Sequence, residues 1–306
     1  MSLHPDVVQL LAFFEELGMP DPYTVTPDEL RASMSAMPVA SPTQVASVEQ
    51  RDIPGAEGPV AVRIYHPEGE GPHPLLVLYH GGGWVVGGLD THDETARQLC
   101  AGAAVVVVSV DYRLAPETPF PGGLEDCYQA TCWAVAEAPA LGADPERLAV
   151  AGDSAGGNLA AAVCMLARER GGPAIQHQLL IYPVTDHNLD TPSYQANAEG
   201  YFLTRRMMQW FWEQYLADAQ AGESPLASPL RGELQGLPPA TVITAEYDPL
   251  RDEGMAYAEA LQAAGVAVES RCFDGMIHGF VGLTDAISEA RVAVDYACKR
   301  LREALG

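Results

Sequence analysis

The sequence predicts an α/β fold, in which a mostly parallel central sheet is flanked by helices. Two observations carry that expectation and a third bounds it. From Ala103 to the end, strand and helix patterns alternate, which favours a parallel sheet. The segment Ala103–Val110, AAVVVVSV, is β-branched and apolar on both alternating faces, as in a strand covered by helices on both sides. Between Asp186 and Pro229 the alternation stops, and an aromatic block at Tyr201–Tyr215, YFLTRRMMQWFWEQY, takes its place.

Taken in chain order, the first forty-odd residues read as helices broken by Pro20, Pro22, Pro27, Pro38 and Pro42. Two strands follow, Val45–Asp52 and Val60–Tyr65, joined through a turn at Pro54-Gly55. Leu75–Tyr79 is a short apolar run of the kind a buried strand shows, and Ala103–Val110 is the next. A helix at Leu124–Glu137 then precedes a strand at Arg147–Gly152, and a helix at Gly157–Arg170 precedes a strand at His177–Tyr182. In the irregular stretch, Thr204 caps a helix on which Met207, Met208, Phe211 and Tyr215 share a face. This helix either packs on the core or roofs a pocket. The chain ends with a strand at Ala240–Ala245, a helix at Asp252–Ala264, a strand at Ala267–Phe273 and a helix near Ala286–Leu305.

Composition narrows the function. The 306 residues are 48% hydrophobic and 19% charged, enough for one large core. A net charge of −24 repels phosphate backbones and anionic headgroups, so nucleic acid is not expected as a partner. The charge is spread along the chain and reads as a solvated surface. The N-terminus, MSLHPDVVQLLAFFEELGMP, lacks the basic start and small-residue cleavage site of a secretory signal. Its apolar spacing fits an amphipathic helix, and no segment approaches the roughly 20 apolar residues of a membrane span. The expectation is a soluble cytoplasmic protein. The six cysteines (Cys100, Cys127, Cys132, Cys164, Cys272, Cys298) show no C-x-x-C and read as small buried hydrophobes. The eight histidines include no H-E-x-x-H, so no metal site is expected.

The chemistry enters at Leu148–Ala162, LAVAGDSAGGNLAAA, where an apolar run stops at a serine among glycines and an alanine-rich helix follows. Gly152-Asp153-Ser154-Ala155-Gly156 has the G-x-S-x-G spacing of a nucleophile elbow. A serine hydroxyl needs a base to take its proton and a third group to orient that base. Of the downstream histidines, His177 falls at a strand start and His187 precedes the irregular stretch. His278, in FDGMIHGF just past a strand, suits the base. For the acid, TVITAEYDPLRDEG offers Glu246, Asp248, Asp252 and Glu253. Asp252 and Glu253 open the next helix, where the N-terminal dipole explains them. Asp248 is therefore chosen, with Glu246 in reserve. HGGGW at His80–Trp84 follows the strand Leu75–Tyr79, so the amides of Gly82 and Gly83, with that of Ala155, are expected to bind the developing oxyanion.

HGGGW, DYRLAPE at Asp111–Glu117, GDSAGGN at Gly152–Asn158, DPLRDEG at Asp248–Gly254 and GMIHGF at Gly275–Phe280 together resemble the bacterial hormone-sensitive-lipase-like esterases, in the branch whose serine motif reads GDSAG. The match runs from about Val45 to the C-terminus. The resemblance implies a serine carboxylesterase on an α/β-hydrolase fold, with cap helices at 1–44 and a catalytic domain at 45–306 that carries a cap insertion at about 186–229. Carried over by motif, Ser154 is the nucleophile, His278 the base and Asp248 its orienting acid. Gly82, Gly83 and Ala155 correspond to the oxyanion donors. His80 would hold the glycine loop, and Arg113 and Glu117 would act as scaffold. The segments before Val45 and around Asp186–Pro229 carry no matched motif. The resemblance further implies small acyl esters, roughly acetyl to octanoyl, as substrates, no metal or organic cofactor, and a homodimer as a common assembly. Trp84, Phe202, Met207 and Phe211 are expected to line the substrate pocket. Two other classes stay open. One is an amide or carbamate hydrolase with the same triad. The other is a ligand-binding protein on this fold, as in the plant hormone receptors that lack the catalytic histidine.

Overall fold

The computed structural model describes residues 2–18, 20–35 and 42–306; Pro38 and its neighbours lie outside the described residues. The elements in chain order are α1 (Pro5–Leu17), α2 (Pro27–Ser35), β1 (Ser47–Gly55), β2 (Gly58–His66), β3 (His73–Tyr79), α3 (Asp93–Ala103), β4 (Val106–Asp111), α4 (Gly122–Glu137), β5 (Ala143–Asp153), α5 (Ala155–Arg170), β6 (His177–Ile181), α6 (Pro192–Ala196), α7 (Arg205–Tyr215), β7 (Ala240–Tyr247), α8 (Arg251–Ala263), β8 (Val268–Ile277) and α9 (Ser288–Leu305). The strands form one sheet in the order β1-β2-β4-β3-β5-β6-β7-β8. β1 and β2 form an antiparallel hairpin, β2 runs antiparallel to β4, and every other pairing is parallel.

The central strands are apolar on both faces because both faces are covered. Leu75, Val77, Val106, Val108, Leu148 and Val150 belong to a core shared with α4, α5 and α8. Their alternates Leu76, Leu78, Val105, Val107, Ala149 and Ala151 belong to a second core under α3 and α9. Both cores reach the ends of the strands, so the loops at the carboxyl edge of β3, β5, β7 and β8 start from rigid backbone.

The structure differs from the sequence expectations in several elements, among them the turn expected at Pro54-Gly55: both residues stay paired in β1, with Pro54 opposite Pro59 and Gly55 opposite Gly58, and the chain turns at Ala56-Glu57. The run expected as a strand from Ala103 starts at Val106, because Asp93–Ala103 is a helix that closes on Ala104 in the left-handed region (φ 56°). Its buried residues Ala96, Leu99, Cys100 and Ala103 recur at helical spacing along one face. β8 continues past Phe273 to Ile277, where Tyr247 of β7 pairs with Ile277 across an irregularity in the ladder. In the Asp186–Pro229 stretch two short helices form and no strand, and Thr204 caps α7 as expected, its hydroxyl accepting the Met207 N–H at 3.0 Å.

The N-terminal helices dock on the sheet's carboxyl edge. The His4 N–H donates to Gly275 O at 3.1 Å, in β8 three residues before His278. Arg31 of α2 spans to the loop after β3 and the loop after β4. Its Nε donates to Val85 O at 2.8 Å, its Nη2 to Ala115 O at 2.8 Å, and its two Nη atoms grip Glu117 at 2.9 and 2.7 Å. Among the described residues, no helix is long and apolar enough to cross a membrane. Of the six cysteines four are buried and two half-buried, all unbridged.

Candidate active site

Ser154 sits between the last residue of β5 and the first of α5, at φ 56° and ψ −119°. A side chain in that region is strained and has to be held there by its surroundings. Here the surroundings are backbone. A Cβ on Gly152 would overlap the Gly156 carbonyl, and one on Gly156 would overlap Tyr79 O, so only glycine lets the turn close against β3. The Ser154 N–H donates to Ile181 O at 2.8 Å, and Asn158 Nδ2 ties the turn to Val184 O and Ala227 O at 3.0 and 2.8 Å.

Two adjacent strand ends supply the partners. Because Tyr247 pairs with Ile277, the next residues of the two strands, Asp248 and His278, emerge side by side. Asp248 Oδ2 accepts from His278 Nδ1 at 2.7 Å, and His278 Nε2 lies 2.9 Å from Ser154 Oγ. A carboxylate only accepts, which places the ring proton on Nδ1 and leaves Nε2 to accept from the serine hydroxyl. Asp248 Oδ1 accepts the Leu250 N–H at 2.8 Å, and Asn197 Nδ2 donates to Asp248 O at 3.2 Å. All three groups are buried, Ser154 at 8% exposure, His278 at 6% and Asp248 at 0%. The Tyr182 ring packs 4.6 Å from the His278 ring.

The other acids have separate work. Glu246 Oε2 accepts the Gly275 N–H at 2.7 Å, bracing the last residues of β8 before His278. Asp252 accepts from Ser193 N at 2.7 Å, and Glu253 accepts from Thr185 N at 2.7 Å. Glu253 is 1% exposed, so the helix-dipole explanation does not describe it. Burial pushes its carboxyl well above the ordinary range, and the Thr185 N–H only partly opposes that. His177 bonds Thr241 Oγ1 at 2.9 Å and His187 packs on Trp212 at 4.8 Å; neither ring is hydrogen-bonded to Ser154 or Asp248.

The glycine loop stands at the end of β3, next to β5. His80 is fully buried, stacks on Tyr112 at 4.2 Å and bonds Gly81 O at 2.8 Å. Desolvation, aided by the neighbouring His92, pushes its pKa down to about 3, so it stands neutral as a structural post. Gly82 and Gly83 both take positive φ, 118° and 57°. Their N–H groups, like that of Ala155, have no protein acceptor among the described residues, so all three are unspent donors. Arg113 grips Asp126 through two nitrogens at 2.7 and 3.0 Å, and Glu117 takes Arg31; both brace the loop after β4.

Of the expected pocket residues, Phe211 lies directly on Gly83, whose Cβ would overlap the ring. Phe202, at φ 71°, approaches Gly279 and stacks on Phe14 of α1 at 4.9 Å. Met207 is half-buried on α7. Trp84 packs against α7. It is 1% exposed, stacked on Tyr215 at 4.1 Å and tilted against Trp212 at 4.6 Å, so it joins the glycine loop to α7. An open groove of about 320 Å³ beside Arg63, Asp90 and Asp111 contains none of these groups. Among the described residues, no cluster of three or more His, Cys, Asp or Glu side chains could hold a metal ion.

Known proteins share this architecture. A family model described as alpha/beta hydrolase fold matches residues 76–282. The carboxylic ester hydrolase LipN of Mycobacterium tuberculosis is 47% identical over 274 residues, covering 87% of this chain and 72% of that protein. The ethyl acetate hydrolase of Pseudomonas putida is 38% identical over 303 residues, 95% of each chain. The crystal structure of a thermostable esterase from Pseudomonas putida ECU1011 superposes with a TM-score of 0.94 at 39% identity, covering 100% of this chain and 98% of that one. Fold, motif order and these likenesses agree: the chain belongs to the alpha/beta hydrolase fold family, among its hormone-sensitive-lipase-like carboxylic ester hydrolases.

Proposed function

We propose that this chain is a serine carboxylesterase for short- to medium-chain acyl esters, with Ser154 as nucleophile, His278 as general base and acid, and Asp248 as the group that orients the imidazole. The observation that carries the reading is the continuous line of hydrogen bonds from Asp248 through His278 to Ser154, at 2.7 and 2.9 Å. As Ser154 Oγ attacks the ester carbonyl, His278 Nε2 takes its proton, and the buried Asp248 carboxylate stabilises the imidazolium. The carbonyl oxygen becomes an oxyanion, for which the amides of Gly82, Gly83 and Ala155 are the donors. One such donor is worth on the order of 3 kcal/mol of barrier. His278 then protonates the departing alcohol. Water, activated by the same ring, attacks the acyl-enzyme and releases the acid with Ser154 restored.

In this reading α1, α2 and the 186–229 segment form the cap, and Phe202, Met207 and Phe211 bound the acyl site. Phe211 against Gly83 favours small acyl groups, because it fills space beside the donors that a long chain would need. The ethyl acetate hydrolase of Pseudomonas putida bears a name that fits the same size class.

Hydrolysis of p-nitrophenyl esters from acetate to palmitate tests the proposal, with Ser154→Ala and His278→Ala beside the parent. Short-chain turnover that both variants lose by several orders of magnitude is expected, given the triad losses known in subtilisin. Turnover surviving in Ser154→Ala would overturn it, and folded protein inactive on every ester would point to amide bonds or to binding alone.

A further inference from the structure

Asp153 and His92 have no part in the triad, yet both reach the glycine loop. Asp153 is the last residue of β5 and immediately precedes Ser154. Gly81 lies just past the end of the adjacent parallel strand β3. The Gly81 N–H donates to Asp153 Oδ1 at 3.0 Å, and His92 Nε2 lies 3.1 Å from the same oxygen and 3.2 Å from the Gly81 nitrogen. Amide, carboxylate and imidazole thus form a closed triangle. Its far corner is braced too. His92 Nδ1 is 2.9 Å from Thr91 Oγ1, which accepts the Gly88 N–H and donates to Gly88 O, each at 3.0 Å. The fit excludes any side chain at position 81, since a Cβ there would overlap the Asp153 carboxylate.

We propose that Asp153 and His92 are positioning residues that set the distance between the nucleophile and the oxyanion donors. Asp153 is bonded covalently to Ser154 and through its carboxylate to Gly81, which is one residue from Gly82 and two from Gly83. The Gly82 carbonyl accepts from Val85 N and Val86 N at 3.1 and 3.0 Å, so the loop is held at its far end as well. Gly81 is therefore the point where the register of both donors against Ser154 is decided. A charged acceptor suits this task because it shortens and strengthens the bond to the amide. Burial opposes charge on Asp153, but the nearby His92 more than offsets it and keeps the carboxyl below its ordinary value. Misplacing a reacting group by about 1 Å can cost about a hundredfold in rate. The inference rests on the esterase reading, since it concerns donors that act on the oxyanion.

The test compares Asp153→Ala, Asp153→Asn and His92→Gln with the parent and with Ser154→Ala. Turnover of p-nitrophenyl butyrate, inhibition by a butyl trifluoromethyl ketone and the thermal midpoint are measured for each. In Asp153→Ala, kcat should fall about tenfold to a hundredfold with KM within about threefold, and the ketone, which mimics the tetrahedral adduct, should weaken by the same factor as kcat/KM. Asp153→Asn keeps an oxygen for the Gly81 N–H and should lose less. Wild-type kcat in folded Asp153→Ala and His92→Gln overturns the inference, as does a loss carried by KM with ketone affinity unchanged. If Asp153→Ala does not fold, Asp153→Asn and His92→Gln decide by the same criteria. Full turnover in Ser154→Ala would instead overturn the esterase reading, whereas an inactive Ser154→Ala beside fully active Asp153 variants would sink this inference alone.

Discussion

The Phe211 ring rests on Gly83 so closely that a methyl group at position 83 would overlap it. A helix outside the sheet thus touches the loop that carries the proposed oxyanion donors. Gly83→Ala would meet both this ring and an unfavourable φ of 57°, and we expect kcat/KM to fall about a hundredfold, comparable with losing one donor. Phe211→Ala alone should move the acyl-chain optimum toward longer esters. The double variant should recover part of the lost activity, since the ring causes part of the overlap. Ester hydrolysis by the four proteins across chain lengths checks this, and wild-type activity in Gly83→Ala would refute it.

Arg31 joins α2 to the loops after β3 and β4 through Val85 O, Ala115 O and Glu117. Arg31→Ala leaves those two carbonyls without their donor and should cost about 2 kcal/mol. Arg31→Lys cannot span the same set and should recover little of it. Urea unfolding measures both; equal stability of all three proteins would show the clamp to be idle.

His177 is buried, and desolvation with the nearby Arg300 lowers its pKa to about 4. The unfolded chain, with an ordinary value near 6.5, binds more protons between these two limits, so stability rises with pH there. The contribution is fully present above about pH 6.5, is lost as pH drops toward 4, and is flat below. Its size between pH 7.5 and 5 is about 2 kcal/mol. His177→Gln should remove that much of the slope, and chemical unfolding at the two pH values would show whether it does.

Glu253 behaves in the opposite sense. Its carboxyl is raised by burial, so the folded state keeps a proton that the unfolded chain releases above about pH 4.5. Stability therefore declines as pH rises through that interval. Glu253→Gln carries a neutral side chain of the same shape and should raise the thermal midpoint at pH 8 relative to the parent, with little difference at pH 4. A lower midpoint at pH 8 would mean that the carboxylate is charged and paired after all.

Motif and order were legible in the chain because they depend on local rules. The G-x-S-x-G spacing demands a tight strand-to-helix turn, and the structure shows the glycines meeting backbone there. His278 and Asp248 were readable as residues following strands, and they meet because β7 and β8 end in register. The helix at Asp93–Ala103 was legible but went unread: Ala96, Leu99, Cys100 and Ala103 recur at i, i+3, i+4 and i+7. The stack of Trp84 on Tyr215 was not legible, since it is set by a contact 131 positions away in the chain.

The sequence by itself determined the fold class, and it placed Ser154, Asp248 and His278, the residues proposed for the chemistry, just past the ends of strands. Periodicity and backbone permission act over a few residues, so they are written in the chain directly. Only the tertiary structure decided what holds those residues in place: Glu246 on Gly275 of β8, Phe211 on Gly83, and Asp153 with His92 on Gly81. These pairs join strand ends and loops that are distant in sequence. Their partners are chosen by sheet order and register, which arise when the two apolar faces of the sheet are buried together.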